Sequence, residues 1–355
     1  MLSPVNSAIA LLRQLIACPS FSREEQGTAD LLAQTLAERG FADVHRLHNN
    51  IYVTSRAYDA AKPTLLLCSH HDTVRPASGY TRDPFAPTVE DDTLYGLGSN
   101  DAGASVVSLV EVFHILSREA LSLNLVLALV GEEEVSGARG ISALLPILPP
   151  IDMALVGEPT GMQAAVGERG LVVLDGEAKG KSGHAARHEG INALYRAVDD
   201  IQALRSHRFA RKSALLGDIS VTVTGITAGT QHNVVPDVCR YFVDVRTTDA
   251  YTNEETVAEL QRVVTHSVLT PRSTRLRASA ISEDHVLVCA AKSIGAQTYV
   301  SPTMSDMALL PVPSLKIGPG DSARSHAADE FIRFGEIEQA IAGYVDLIRH
   351  VANSL

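Results

Sequence analysis

The sequence predicts an α/β protein: a central, mostly parallel sheet between helices, with a smaller α+β domain inserted into it. Three observations lead there. Short runs at residues 64–67, 125–130, 153–156 and 315–317 are predominantly apolar, the pattern of strands covered on both faces. Segments between and after them carry helical periodicity. The middle of the chain alternates instead with a two-residue period, as half-exposed antiparallel strands do.

Taken in order, residues 7–16 place Leu11, Leu12, Leu15 and Ile16 on one helical face. Ser22 and Glu25 have the spacing of a capping box, opening a second helix that runs through Leu36 and that Gly40 can end. The strand at 64–67 follows, then an amphipathic helix at 105–116 and the strands at 125–130 and 153–156. "GLVVLDGEAKG" begins the smaller domain, continued by a helix at 191–204, strands "ISVTVTGI" (219–226) and "CRYFVDVRTT" (239–248), a helix at 253–264 and a strand near 275–280. This order predicts a ferredoxin-like unit with a four-stranded antiparallel sheet and two helices. The α/β character resumes near His285, ending in the 315–317 strand and a helix at 336–348. The expected division is 1–165 and 283–355 as one domain, with 166–282 inserted; at 355 residues, two domains are the ordinary outcome.

The net charge of −11 argues against a nucleic-acid surface and would repel anionic membranes, which leaves a small molecule as the expected partner. No signal peptide is expected, because Arg13 interrupts the N-terminal apolar residues at helical spacing. The longest apolar stretch, "LNLVLALVG", is strand-sized, so a soluble, cytoplasmic protein is expected. Cys18, Cys68, Cys239 and Cys289 are scattered, which fits reduced thiols rather than a disulfide framework.

The strand at 64–67 runs into "CSHHDTVRP", ending apolar structure with groups that resist burial. Ligands of open α/β sheets bind beyond the carboxyl ends of the strands. His70, His71 and Asp72 follow the first strand, Glu132, Glu133 and Glu134 the second, Glu158 the third, and His326 the last; Asp101 precedes a helix N-terminus. Singly, each has an ordinary explanation as a solvated loop acid or a structural histidine. Together they form a carboxylate cluster that repels itself unless cations neutralise it. Imidazole with carboxylate suits zinc, with cobalt or manganese as substitutes. "GLGSND" lacks the third glycine of a dinucleotide loop.

With these motifs in view, the sequence resembles the M20 family of metallopeptidases and deacylases, in its acetylornithine deacetylase and succinyl-diaminopimelate desuccinylase branch. The resemblance rests on "SHHDTV", "YGLGSNDAGAS", "GEEEVSGARGI", "VGEPT", "GKSGHAARHEGINA", "HNVVPD" and "GPGDSARSHAADEF", in that order. It implies a zinc-peptidase-like fold and two zinc ions per subunit, one held by His70, Asp101 and Glu158, the other by Glu134, Asp101 and His326. Asp72 would orient His70, and Glu133 would be the general base for a water activated between the metals. In "EEE", Glu132 is aligned with an Asp that family members often carry. His184 would stabilise the oxyanion, in its own or a partner subunit's site, with His188 one turn on. Asn233 and Arg246 would hold a substrate carboxylate; Arg324 and Asp306 border the metal edge. "AGAS" after Asp101 and the Asp and Arg residues around the last "GPG" depart from the family and bear on side-chain preference.

The reading that follows is an amidohydrolase removing an acetyl or succinyl group from the α-nitrogen of an amino acid, with N-acyl-ornithine or N-acyl-citrulline of arginine biosynthesis as the substrate. A dipeptidase or aminopeptidase using the same metals, and a metal-stabilised binding protein without catalysis, are the alternatives. A homodimer is expected through an edge strand of the inserted domain.

Overall fold

The computed structural model of the protein describes residues 3–187 and 189–355, so His188 lies outside the described residues. It divides into two compact units. The first takes the chain as far as Val166 and resumes at Ile281–Tyr299 and Ser305–Leu355; the second comprises Gly167–Ala280 and Val300–Met304.

In the first unit, strands lie in the order His45–Leu47, Asn50–Thr54, Asn124–Val130, Thr64–His70, Met153–Val156, Ser314–Lys316 and Ala164–Glu168. The four at the centre of this row are parallel. Asn50–Thr54 and Ala164–Glu168 flank them antiparallel. Every residue of Thr64–His70, Asn124–Val130 and Met153–Val156 is buried, which is why the apolar stretches within them, Leu65–Cys68, Leu125–Val130 and Met153–Val156, run unbroken.

Thr64–His70 outlasts the expected strand by three residues, because the ladder continues as Cys68↔Ala128, Ser69↔Leu129 and His70↔Val130. His70 is therefore the last paired residue, delivered to the same edge at which Asn124–Val130 and Met153–Val156 end. Helices Pro4–Ile16, Ala104–Leu116 and Phe334–Ser354 pack on one another and bury Leu12, Phe113, Ile337 and Ile348 completely. Each such side chain contributes about 1.5–3 kcal/mol relative to exposure. Ser3 and Pro4 start the first helix, Ser3 Oγ accepting the Asn6 N–H at 3.3 Å.

The expected capping box at Ser22 and Glu25 does not form, since helix Gln26–Glu38 has no side-chain cap. Both residues have distant partners instead. Ser22 Oγ donates to Asp72 Oδ2 at 2.7 Å, and Glu25 Oε1 accepts the Glu132 N–H at 3.1 Å.

The second unit is an antiparallel sheet in the order Ser220–Ala228, Val238–Thr247, Gly170–Lys179, Ser267–Pro271, carrying helices Ala193–Ser206 and Asn253–Val263. Its core joins Val172, Leu174, Tyr241, Val243, Val245, Leu260 and Leu269. The fourth strand is not at 275–280, where only Ser279–Ala280 is extended in a strand. Ser267–Pro271 takes that place at the sheet edge, where a proline without an N–H is tolerated. Here a capping box does form, between Thr252 and Glu255.

Candidate metal centre

The site is built where the parallel strands end. His70, buried at the tip of its strand, places Nδ1 3.0 Å from the backbone oxygen of Asp72. A carbonyl only accepts, so Nδ1 carries the hydrogen and Nε2 is the atom turned toward the acids. From Nε2, Asp101 Oδ1 is 3.2 Å away, Glu158 Oε1 3.8 Å and Glu133 Oε2 4.0 Å. Across Asp101, His326 Nε2 lies 3.8 Å from Asp101 Oδ2 and 2.9 Å from Glu134 Oε2.

Among the described residues, two groups can therefore surround a cation: His70, Asp101 and Glu158, and Asp101, Glu134 and His326, with ligand atoms within 4.8 Å of one another. Asp101 belongs to both. Glu133 belongs to neither, although it stands between Glu132 and Glu134 on the same loop. Asp72 fixes that loop, accepting the N–H groups of Glu133 at 3.0 Å and Glu134 at 3.2 Å, with Oδ1 3.5 Å from His70 Nδ1. Glu132 turns the chain with a positive φ of 59°, and the Glu25 carboxylate receives its N–H.

Electrostatics agree with a cation site. Burial, then the charges of Asp101 and Asp306, push Glu158 up to about 8, although His70 and Lys316 oppose this. Burial likewise holds Glu133 well above the usual carboxylate range, with Glu158, Asp306 and Glu134 adding to it. His70 is opposed by burial but is held well above its ordinary value by Glu158, Asp101, Asp72 and Glu133. The hydrogen bond to Glu134 lifts His326 to about 9. Such a cluster takes up protons where a divalent ion would otherwise neutralise it. The donors are imidazole nitrogens and carboxylate oxygens, which fit zinc and its first-row neighbours. Cys68 supplies no thiolate: burial keeps its thiol protonated, with Sγ 4.0 Å from Asp306 Oδ2.

The other anticipated residues are placed as follows. His184 is exposed in a two-residue strand of the second unit, paired across from Val234, and Asn233 accepts the Ala185 N–H through its backbone oxygen at 3.1 Å. The two thus share one small ribbon. Arg246, in the same unit, holds Asp244 by two nitrogens at 2.8 and 3.1 Å. Arg324, two residues before His326, donates to Glu336 Oε2 at 2.8 Å and stacks 4.4 Å from the Phe331 ring centre. It borders a cavity of about 460 Å³ with Thr160, Gln163, Gln297 and Asp321. His71 is not aimed at the acids, since its ring nitrogens meet Thr28 Oγ1 and the Asn49 oxygen, both at 2.9 Å.

Sequence reasoning gave no role at the site to Asn100, Lys316 or Glu330, and read Glu25 only as a helix cap; all four are buried. For Glu330 a signal existed, an acid four residues past His326 in "HAADEF". "GLGSND" also has its explanation: Gly98 has φ 73°, and a Cβ there would meet Thr73 Cγ2 at 2.6 Å.

Residues 66–350 match Peptidase family M20/M25/M40. The chain is 27% identical to a succinyl-diaminopimelate desuccinylase of Cereibacter sphaeroides, over 96% of this chain and 98% of the relative. It is 28% identical to an acetylornithine deacetylase of Proteus mirabilis, over 93% of each. In fold it is similar to a dinuclear metal-binding M20 peptidase from Bacillus subtilis, with a TM-score of 0.75, 17% identity and 99% of each chain covered. The match begins inside the strand that delivers His70 and ends inside the last helix, so this chain belongs to the M20/M25/M40 peptidase family, whose members are metal-dependent hydrolases.

Proposed function

We propose that the protein is a di-zinc amidohydrolase that removes an acetyl or succinyl group from the α-nitrogen of an amino acid, with N-acyl-ornithine or N-acyl-citrulline as substrate. The observation that carries this reading is the sharing of Asp101 between two ligand groups while Glu133 stands beside them in neither. A purely structural site needs no such unligated carboxylate. Support for a deacylase comes from the two relatives, both named for removing acyl groups.

Bound zinc would supply positive charge that acidifies a water and polarises an acyl oxygen. His70, Asp101 and Glu158 would hold one ion, and Asp101, Glu134 and His326 the other. Asp72 orients the His70 ring and fixes the Glu133 loop. Glu133 takes a proton from the attacking water through its carboxylate and delivers it to the departing amine nitrogen. His184 would donate to the developing oxyanion. Asn233 and Arg246 would bind the substrate carboxylate, Arg246 by exchanging Asp244 for it. Arg324 is the residue for a second carboxylate on a succinyl group, in exchange for Glu336. A homodimer through the edge strand Ser220–Ala228 completes the proposal. No helix among the described residues is long and apolar enough to cross a membrane.

The test is a panel of acetyl and succinyl derivatives of ornithine, citrulline, lysine and diaminopimelate, assayed with zinc beside unblocked dipeptides. Hydrolysis of N-acyl ornithine or citrulline above all others supports the assignment. Turnover of dipeptides alone rejects the deacylase reading.

A further inference from the structure

Two side chains outside both ligand groups tie the backbone that presents Asp101 to the backbone that presents His326. Glu330, four residues past His326 and buried, uses both oxygens on one loop. Its Oε1 accepts the N–H groups of Asn100 and Asp101, each at 2.8 Å, and its Oε2 accepts that of Gly98 at 2.9 Å. Asn100, the residue before Asp101, reaches the other way. Its Nδ2 donates to the Asp321 oxygen at 3.1 Å and to Ser325 Oγ at 3.4 Å, and its Oδ1 accepts the Asp321 N–H at 2.9 Å. Residue 320 must be small for this, because a Cβ on Gly320 would meet Asn100 Oδ1 at 2.3 Å.

A buried carboxylate that collects three amide N–H groups makes strong, charge-assisted contacts, and removing it strands those donors. Stapling two loops for stability would use the same chemistry. What stability alone does not account for is where the staples fall. Asn100 adjoins Asp101, Ser325 adjoins His326, and Glu330 holds the Asp101 amide itself. They bracket the two residues whose Oδ2 and Nε2 stand 3.8 Å apart. Neither Glu158 nor His70 is held by these contacts.

We propose that Asn100 and Glu330 are positioning residues that set the separation of Asp101 from His326, and thereby tune the ion held by Asp101, Glu134 and His326 more strongly than its neighbour, which shares only Asp101 with it. This rests on the two-ion reading above.

The test uses metal-free wild-type protein with Glu330→Gln, Asn100→Ala and, as a reference, His326→Ala. Each is titrated with zinc by calorimetry and with cobalt(II), whose visible absorption reports coordination geometry. In Glu330→Gln one acceptor oxygen becomes an N–H₂ group facing an amide donor. Both positioning variants should weaken one site by about 10–100-fold, the same site that His326→Ala removes, and change the cobalt spectrum there. The other site, which shares Asp101 but not His326, should weaken by a clearly smaller factor. Thermal midpoints of the metal-free proteins provide the structural control. Unchanged affinities, or equal weakening of both sites, would overturn the proposal and leave the pair a loop staple. Should Glu330→Gln not fold, Asn100→Ala decides by the same readouts, and failure of both to fold counts against the proposal. Wild-type protein that takes up no ion at all is a different result, and it rejects the two-ion reading itself.

Discussion

Asp72 receives the amide N–H of Glu133 at 3.0 Å, so one buried carboxylate positions both the residue proposed as base and, through its 3.5 Å approach to Nδ1, the ring of His70. Asp72→Asn keeps the shape but turns one oxygen into a donor that faces Ser22 and the Glu134 amide or the Glu133 amide. Metal affinity and kcat should each fall about 10–100-fold, as for other residues that orient ligands. Wild-type values for both would remove Asp72 from the account.

Glu133→Gln separates binding from chemistry. Glu133 is in neither ligand group, so zinc content by atomic absorption should stay at the wild-type value. Turnover should fall by about 10²–10⁴-fold, the usual contribution of a positioned general base. A fully active variant would move the base to Glu132 or Glu134 and shift the whole register of the "EEE" loop.

Chelation should expose the self-repulsion of the cluster, with a direction that depends on pH. In the metal-free protein Glu158 is raised to about 8, Glu133 well above its ordinary range, and His70 above its own. Each binds more protons folded than unfolded, so the stability these groups contribute is fully present below their unfolded values, about 4.3 for the carboxylates, and is lost as pH rises toward about 8. Asp72 and Asp101 are shifted the other way and add nothing to this window. Urea midpoints of chelated protein should therefore fall between about pH 5.5 and 8, while zinc-loaded protein, its protons displaced, should hold level. Equal slopes with and without zinc would contradict a cation site.

Gly318→Ala tests the packing beneath Glu158. A Cβ at residue 318 would lie 2.5 Å from the Glu158 backbone oxygen, 2.5 Å from Ser105 Oγ and 2.9 Å from Tyr344 Oη. The Tyr344 hydroxyl is itself committed to the Ile317 oxygen at 2.5 Å. Overpacking of this kind costs about 1–3 kcal/mol, read as a lower urea midpoint even in chelated protein. Unaltered stability would mean that this end of the sheet yields more easily than its contacts indicate.

The parallel strands were legible because burial on both faces leaves an unbroken apolar run, and Leu65–Leu67 and Leu125–Val130 are buried throughout. Their carboxyl-edge acids and histidines were legible only jointly, since each alone has an ordinary explanation but several strands delivering such groups to one edge do not. Where the Thr64–His70 ladder stops was not, because periodicity says nothing about how far a neighbouring strand offers partners. Ser22 and Glu25 carried a correct local pattern that lost to Asp72 and the Glu132 amide, partners far away in the chain. Ser267–Pro271 was hidden by its own proline, which reads as a breaker unless the strand is known to lie at an edge. The role of Glu330 was hidden even though an acid stands four residues past His326, because it pairs with backbone amides, and amides leave no trace in a sequence.

The most direct measurement is the location of zinc in crystals grown with the metal in excess, from anomalous scattering at the zinc edge. Two peaks should appear, one against His70 and Glu158 and one against Glu134 and His326, with a carboxylate oxygen of Asp101 on each and Glu133 on neither. A single peak, or an Asp101 side chain turned away from both histidines, would contradict the shared-carboxylate site and the reaction proposed to depend on it.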